Sequence, residues 1–381
     1  MIAVVSASLA APGTVAARER VNGWGLPLTD IVPDPAVRFG RLPNGMKYAI
    51  RRNATPKGAA SVRLHFAFGS LAENEQERGL AHFIEHMAFN GTTNVAEGDM
   101  VKILERQGLA FGPDTNASTG FDATTYMLEL PKADKQRLDT AFFLLREVAS
   151  EVTFDPDAVN RERGIIISER RARDNYQLRR VVDSFAFHYP LTNYANRLPI
   201  GTDAVISSAS AASLASLYQR YYRPEFATLV FVGDADPALI EARIKAKFSD
   251  WTGRGPAGAK LDPGRVDLKR AGDAAAFADP AIETSVSMSV NRPWEDPADT
   301  RSERRRRFIQ ATAMALLTRR LQIVVNSEDS KLLSAAASQS PSRDLAWTST
   351  LSAVTRDGDW KDGVQILEQE LRRALKHGFT E

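Results

Sequence analysis

The sequence is organised around one stretch, Gly79-Leu80-Ala81-His82-Phe83-Ile84-Glu85-His86-Met87-Ala88-Phe89-Asn90-Gly91-Thr92. On an α-helix, at about 100° per residue, His82, Glu85 and His86 fall on one side. Apolar side chains of the same stretch cluster on the opposite side, namely Leu80, Phe83, Ile84 and Met87. The stretch is therefore predicted to be a helix with a chemical face and a core face, which Gly91 is placed to end.

The chemical face has the composition of a metal site. Two histidines four positions apart can reach one cation, and Glu85 between them can polarise a water. The order H-x-x-E-H inverts the commoner H-E-x-x-H. Because so short a motif also occurs by chance, the context matters: an apolar face and a second acidic helix downstream accompany it. We predict a metal site here.

Composition limits the class of site. The 381 residues suffice for two domains, and 43% hydrophobic and 25% charged residues are ordinary globular values. The 49 basic and 47 acidic residues give a net charge of +2, so no nucleic-acid partner is expected. With no cysteine, a metal can be held only by histidine and carboxylate, which is typical of catalytic rather than structural zinc.

Residues 1–35 are predicted to form a leader and an extended arm. The segment Met1–Ala17 is apolar and rich in small residues, and Val15-Ala16-Ala17 resembles a cleavage site, but a basic first region is missing. A weak export signal and a disordered leader remain equal alternatives. No apolar run of about 18 residues occurs, so no transmembrane segment is expected.

The rest of the chain divides into two predicted units. Residues 36–253 hold the metal motif between alternating strand patterns and amphipathic helix patterns. A linker rich in glycine and proline is predicted at 254–264. Residues 265–381 repeat the strand, helix, strand, strand, helix order without a second H-x-x-E-H, so we interpret them as a partial, non-catalytic copy.

A polar strand pattern follows the motif helix. Residues Asn116, Ala117, Ser118 and Thr119 read as an exposed edge strand before the alternating strand that begins near Tyr126. An edge strand offers unpaired backbone groups to which an extended peptide can add. An ordinary β-hairpin is the alternative, and the residues alone do not exclude it.

A second acidic helix is predicted to begin at Asp155 and Pro156, as N-cap and first helical residue. Glu162 and Glu169 lie seven positions apart, hence about two turns apart on one face. A carboxylate from this helix could complete the metal site. Alternatively, both could pair with the arginines at 161, 163, 170 and 171 in a solvated face, and spacing does not decide between the two.

Taken together, these residues resemble the pitrilysin/insulinase family of zinc metallopeptidases, the inverzincins, and in particular their bacterial exported members. The resemblance covers most of 39–251. It is carried by Gly79 to Thr92, Asn116 to Thr119, the Glu162 and Glu169 pair, Pro199-Ile200-Gly201-Thr202, and Tyr222-Arg223-Pro224-Glu225 through Gly233-Asp234.

The resemblance implies an α+β fold of repeated α/β-roll domains, as in pitrilysin and the mitochondrial processing peptidase, with the second repeat incomplete. It implies that His82, His86 and Glu169 bind Zn²⁺ and that Glu85 is the general base acting on a zinc-bound water. It implies that Glu162 orients the ligands. The substrate backbone is expected at Asn116, Ala117 and Ser118.

The same resemblance implies a zinc-dependent endopeptidase that cleaves peptides or unfolded polypeptides. Family members usually receive an arginine and a tyrosine from a second half or subunit, and no matching segment is found here. We therefore expect weak or absent activity without a completing half. The alternatives are a non-catalytic peptide-binding or scaffold subunit and a hydrolase with another substrate. A periplasmic or secreted location is expected, with a cytoplasmic location as the alternative.

Overall fold

The computed structural model describes residues 24, 29–110, 112–294, 297–342 and 345–379. Most of the predicted leader therefore lies outside the described residues. Of the predicted arm, Trp24 stacks edge-on against Phe39 at 5.0 Å between ring centroids. Its Nε1 donates a hydrogen bond to the Gly40 carbonyl at 2.8 Å. No helix in the described ranges has the length and apolar character needed to cross a membrane.

The first unit is built on a mixed six-stranded sheet. Its strands are β1 (Val37–Arg41), β2 (Lys47–Arg52), β3 (Ala60–Phe66), β4 (Thr115–Thr119), β5 (Thr124–Leu130) and β6 (Ala227–Gly233). The spatial order is β1-β2-β6-β3-β5-β4, with β2 and β6 parallel and the other pairs antiparallel. The predicted strand at 116–119 is thus confirmed as an edge strand.

Eight helices of the described chain belong to this unit. They are α1 (Leu80–Met87), α2 (Asp99–Arg106), α3 (Lys135–Ser150), α4 (Pro156–Arg173), α5 (Tyr176–His188), α6 (Asp203–Ser208), α7 (Ala211–Tyr221) and α8 (Pro237–Phe248). Asp155 caps α4 as predicted, its side chain accepting from the N–H groups of Asp157 and Ala158. Helix α1 packs against α4, α7 and β4, so it lies at the centre of the unit.

Alternation along the central strands produces the core. In β3, β5 and β6 every second side chain is buried, among them Val62, Leu64 and Phe66. The apolar faces of α1, α3, α7 and α8 join these side chains in one cluster. Because each fully buried side chain of this kind contributes about 1.5 to 3 kcal/mol, the cluster fixes the position of α1 firmly.

The second unit contains β7 (Ser285–Pro293), α9 (Arg301–Val325), β8 (Leu332–Ser342), β9 (Ala346–Thr355) and α10 (Trp360–His377). Its antiparallel sheet has the order β7-β9-β8, the same pattern as β3-β5-β4 in the first unit. A separate core forms between this sheet and the two helices, including Leu321, Leu351 and Leu367. The fold is therefore α+β, with a second unit that repeats part of the first, while the domain boundaries stay a prediction.

Two details differ from the sequence-based expectations. Helix α1 ends at Met87, before Gly91, because the N–H groups of Phe89 and Asn90 bond three residues back and tighten the chain. Helices α5 and α6 were not predicted. No residue of α5 is fully buried. Its capping residue Asn175, which accepts from two backbone N–H groups, was the available signal.

Candidate metal centre

Helix α1 has the two faces that its sequence predicts. Leu80, Phe83, Ile84 and Met87 are 0 to 1% exposed and point into the core. His82 and Glu85, at 6% and 8% exposed, are also largely buried, although they are polar. Buried polar side chains need polar partners. The partners of His82 and Glu85 lie on α4 and β4.

Three ligand atoms converge between α1 and α4. The Nε2 atoms of His82 and His86 lie 3.2 Å apart, and Glu169 Oε2 lies 3.6 Å from the first and 3.4 Å from the second. Ligands about 2.0 to 2.1 Å from a tetrahedral zinc are separated by about 3.4 Å. The distances among the ligand atoms of these three residues therefore fit a zinc ion.

The protonation of the histidines supports the same fit. Burial lowers the pKa of His82 to about 3, so its imidazole is neutral and Nε2 can offer a lone pair. Burial also opposes a charge on His86. Hydrogen bonding to Glu162 and the charges of Glu162, Glu85 and Glu169 outweigh that effect and raise the pKa of His86. A bound metal would compete with a proton for His86 Nε2.

Glu162 lies one step outside the three ligands and fixes one of them. His86 Nδ1 donates to Glu162 Oε1 at 2.7 Å, which leaves Nε2 facing His82 and Glu169. Asn90 Nδ2 donates to the other oxygen, Oε2, at 2.7 Å. Both carboxylate oxygens are thus engaged. The arrangement is typical of metal-bound histidines, whose second nitrogen is held by a carboxylate.

Most of the neighbouring arginines bind elsewhere. Arg161 pairs with Glu97, Arg163 donates to the carbonyls of Ile206 and Ala209, and Arg170 pairs with Asp203. One arginine of this helix does pair with a candidate ligand, because Arg173 contacts Glu169. The alternative of a solvated face with both glutamates paired to the arginines at 161, 163, 170 and 171 is therefore not what the structure shows.

Glu85 stands beside the ligands and faces the edge strand. Thr119 Oγ1 donates a hydrogen bond to Glu85 Oε2 at 2.7 Å. Burial raises the pKa of Glu85, and the hydrogen bond from Thr119 opposes that shift. A carboxylate with a raised pKa is suited to accept and return a proton near neutral pH. Glu85 thus has a contact and a pKa shift that are compatible with the predicted role of general base.

Strand β4 pairs with β5 and, within the described residues, with no other strand. Asn116 and Ser118 are exposed, whereas Ala117 is partly buried against the core. The Ala117 N–H donates to the side-chain oxygen of its neighbour Asn116 at 2.8 Å. This N–H is therefore occupied by a group that can swing away. A role of these residues in substrate binding stays a prediction.

Sequence reasoning missed several residues that support the site. They are Glu73, Asn90, Thr119 and Glu147. Glu147 is buried and accepts from Thr92 Oγ1 at 2.6 Å and from Asn94 Nδ2 at 2.9 Å, which holds the loop after α1. Glu73 belongs to the acidic loop 73–77 that precedes α1. A buried carboxylate that binds backbone or loop groups has no short-range sequence signature.

Comparison with known proteins places these features in a family context. Residues 48–194 match the family described as insulinase (peptidase family M16), and residues 208–381 match the peptidase M16 inactive domain. The probable zinc protease PqqL of Escherichia coli is 30% identical over 352 residues, which cover 91% of this chain and 37% of that protein. Its Haemophilus influenzae counterpart is 35% identical over 216 residues, covering 57% and 23% respectively.

Solved structures agree with this match. The crystal structure of the periplasmic protease PqqL from Escherichia coli has a TM-score of 0.81 at 27% identity, covering 92% of this chain and 39% of that chain. Pitrilysin has a TM-score of 0.71 at 17% identity, covering 94% and 38%, which shows the fold alone. The chain spans less than half the length of these relatives. The name zinc protease agrees with the predicted cofactor and enzyme class.

Proposed function

Because this chain belongs to peptidase family M16, we propose that it is the metal-binding part of a zinc-dependent endopeptidase that cleaves peptides or unfolded polypeptides. One observation carries the proposal: two histidine nitrogens and a glutamate oxygen converge within 3.2 to 3.6 Å of one another, beside the buried carboxylate of Glu85. A largely covered cluster of this composition is stabilised when a cation compensates its charges.

The roles follow from the contacts. His82, His86 and Glu169 hold the zinc, and Glu162 keeps His86 turned toward it. When bound, the ion supplies a Lewis acid that polarises the scissile carbonyl and lowers the pKa of water. Glu85 accepts the proton of the attacking water and passes it to the leaving amine. Burial favours this role because a raised pKa lets the carboxyl both take and release a proton.

The free edge of β4 gives the substrate a place. An extended peptide adds there as a further strand beside Asn116, Ala117 and Ser118, bonding to outward-facing backbone groups such as the Ala117 N–H. Its arrival displaces the Asn116 side chain from the Ala117 N–H. Strand β4 ends at Thr119, which donates a hydrogen bond to Glu85. A peptide paired along β4 therefore extends to the proposed general base.

Full activity requires a second half or partner subunit. Supporting this, the chain covers only 37% of the Escherichia coli relative, and its second part matches a domain described as inactive. The arginine and the tyrosine that family members usually receive from a second half or subunit would come from that partner. The Escherichia coli relative is described as periplasmic, and we extend that location, periplasmic or secreted, to this protein.

Two measurements test the proposal. Zinc content is determined for the wild type, Glu85→Gln and His82→Ala: the first two are expected to retain the metal and the third to lose it. A peptide library is then digested with and without a candidate second half, and cleavage is expected only with it. A wild type that binds no zinc would contradict the enzyme and favour a peptide-binding subunit. Full activity in Glu85→Gln would contradict the assignment of the base.

A further inference from the structure

Helix α1 begins without a capping side chain of its own. Its N-cap residue is Gly79, in the left-handed region with φ 100°. Glu73, 4% exposed and six positions upstream, supplies the acceptors instead. Its Oε2 accepts from the Gly79 N–H at 2.9 Å and its Oε1 from the Ala81 N–H at 2.8 Å. Because the first N–H groups of a helix lack acceptors within the helix, this carboxylate completes the first turn.

Glu73 is itself held in place through a distant loop. Its carbonyl accepts a hydrogen bond from Arg197 Nε at 2.8 Å. Arg197 also pairs with Glu75 at 2.7 Å, and its carbonyl accepts from Ser70 Oγ at 2.5 Å. The loop before α1 and the loop at 197–202 are thus joined at the position of Glu73. The carboxylate has little freedom to leave the helix.

The backbone at the helix start is equally confined. A Cβ atom added to Gly79 would lie 2.8 Å from the Cα atom of Gly201. Gly201 also has a positive φ, of 68°, and belongs to the Pro199-Ile200-Gly201-Thr202 segment. Two glycines in contact leave no side chain between the loop and the first turn. Hydrogen bonds therefore add to core packing in resisting a shift of this turn, and Glu73 provides two of them.

The two histidines of the metal centre are supported differently. His86 is held by Glu162 through Nδ1. His82 Nδ1 is buried and has no hydrogen-bond partner among the described residues. The direction of the His82 ring is therefore set by the backbone of α1 and by packing. His82 directly follows Ala81, one of the two residues that Glu73 binds.

From these contacts we propose that Glu73 is a positioning residue of the metal centre: it fixes the first turn of α1 and through it the direction of His82. The inference rests on the proposed function, since it assumes that His82 binds zinc. Glu73 would thus act through the backbone of α1, to which it is hydrogen-bonded, and not through a ligand side chain. The 197–202 loop has a role as well, which is to hold Glu73 and the helix start.

Replacing Glu73 by glutamine tests the two hydrogen bonds of its carboxylate. Glutamine has the shape of glutamate but only one acceptor oxygen, so in Glu73→Gln an NH₂ group would face one of the two backbone N–H groups. Two opposed donors push the first turn away, whereas the size of the buried side chain is kept. The matched control is Glu370→Gln, because Glu370 is a buried carboxylate, 8% exposed, in the second unit.

The experiment measures zinc affinity by chelator competition and the visible spectrum of the Co²⁺-loaded protein, together with unfolding by urea. We expect Glu73→Gln to weaken zinc binding about 10- to 100-fold and to change the Co²⁺ spectrum, as for other residues that orient ligands. Glu370→Gln is expected to leave affinity and spectrum unchanged even where it lowers stability.

Wild-type affinity and an unchanged Co²⁺ spectrum in Glu73→Gln would overturn the inference. So would an equal loss of affinity in Glu370→Gln, because that would show a general effect of stability. If Glu73→Gln does not fold, Glu73→Asp, whose shorter side chain cannot reach both N–H groups, is judged by the same criteria. A wild type without zinc affinity would instead refute the proposed function, so the two failures are distinguishable.

Discussion

Thr119 Oγ1 donates a hydrogen bond to Glu85 Oε2 at 2.7 Å. This contact joins the last residue of the edge strand β4 to the helix α1, thirty-four positions earlier in the chain. The strand proposed to hold the substrate and the carboxylate proposed to move the proton are therefore in direct contact. Substrate position and base orientation are coupled through one hydroxyl group.

Replacing Thr119 by valine removes that hydroxyl and keeps the β-branched shape. Valine is accommodated in a strand, so the edge of β4 should persist. Hydrogen bonds to a charged group contribute about 1.5 to 3 kcal/mol. We expect kcat for peptide cleavage, assayed with the completing half, to fall about tenfold or more. Zinc affinity should stay at the wild-type value, because Thr119 contacts none of the three ligands.

Thr119→Ser serves as the control for this prediction, since it restores a hydroxyl at the same position. Its kcat should recover most of the loss. If valine and serine variants were equally slow, the defect would come from the strand and not from the hydrogen bond. An unchanged kcat in the valine variant would show that Glu85 needs no orientation by Thr119.

Glu162→Gln tests how far the ligand set depends on its support. The amide cannot accept from both His86 Nδ1 and Asn90 Nδ2 as the carboxylate does, and it carries no charge. We expect zinc affinity, measured by chelator competition, to fall about 10- to 100-fold. Glu97→Gln is the control, because it removes an exposed ion pair with Arg161 on the same helix α4.

A loss of affinity in Glu97→Gln equal to that in Glu162→Gln would contradict this account, because it would trace the effect to α4 as a whole. The assignment of His82, His86 and Glu169 as ligands would not be affected by that result. His86 should in addition become a weaker base in Glu162→Gln, which NMR titration of the metal-free protein can follow. The pKa of His86 is expected to fall in this variant, because the hydrogen bond and the charge of Glu162 raise it against the effect of burial.

The helix that carries the motif could be predicted from sequence because its signal is local. Leu80, Phe83, Ile84 and Met87 recur at helical spacing, and the structure buries all four. The strand at 116–119 was predictable for the same reason, whereas its position at the edge of the sheet, in a hairpin with β5, depends on strand pairing. The partition of roles between Glu162 and Glu169 followed only from the family resemblance, because spacing puts both on one face of α4. Which carboxylate meets which histidine nitrogen depends on how α4 packs on α1.

The supporting residues illustrate the same limit. Glu73 appears in the sequence as one of three glutamates in the loop 73–77, and Thr119 as a strand residue. Their roles come from contacts with α1, and Glu73 additionally depends on Arg197, far along the chain. A hydrophobic period reports which side of an element is buried. It does not report which polar group meets it there, because that choice is made by tertiary packing.

A surface carboxylate gives a pH-dependent prediction. Hydrogen bonds from Lys245, Tyr48 and Arg38 to Glu241 lower the pKa of Glu241 from 4.5 to about 2. Because the folded pKa is depressed, the stabilisation is present above about 4.5 and is lost as pH falls through about 2. The Glu241 side chain is 20% exposed, and solvent screening of this partly exposed group reduces the contribution to about 1 kcal/mol.

The measurement is the free energy of unfolding of wild type and Glu241→Gln between neutral pH and pH 3. The difference between them should be largest near neutral pH and shrink toward acid. Glu105→Gln, an exposed change on α2, should show no such trend. A difference that is constant with pH would mean that Glu241 acts through packing rather than through its charge.

The contact between Gly79 and Gly201 gives the last prediction, on stability. A Cβ atom at position 201 would lie 2.5 Å from the carbonyl oxygen of Arg78, and backbone cannot yield as a flexible side chain does. Gly58 is the matched control, because it also has a positive φ, of 76°, but nothing lies within 4 Å of its added Cβ. Both alanine variants carry the left-handed backbone penalty of about 1 to 2 kcal/mol.

Gly201→Ala should lose about 1 to 3 kcal/mol more in urea unfolding and also bind zinc more weakly, since the start of α1 has to move. Equal stability losses in the two variants would mean that the loop at 197–202 does not confine the helix that carries His82 and Glu85.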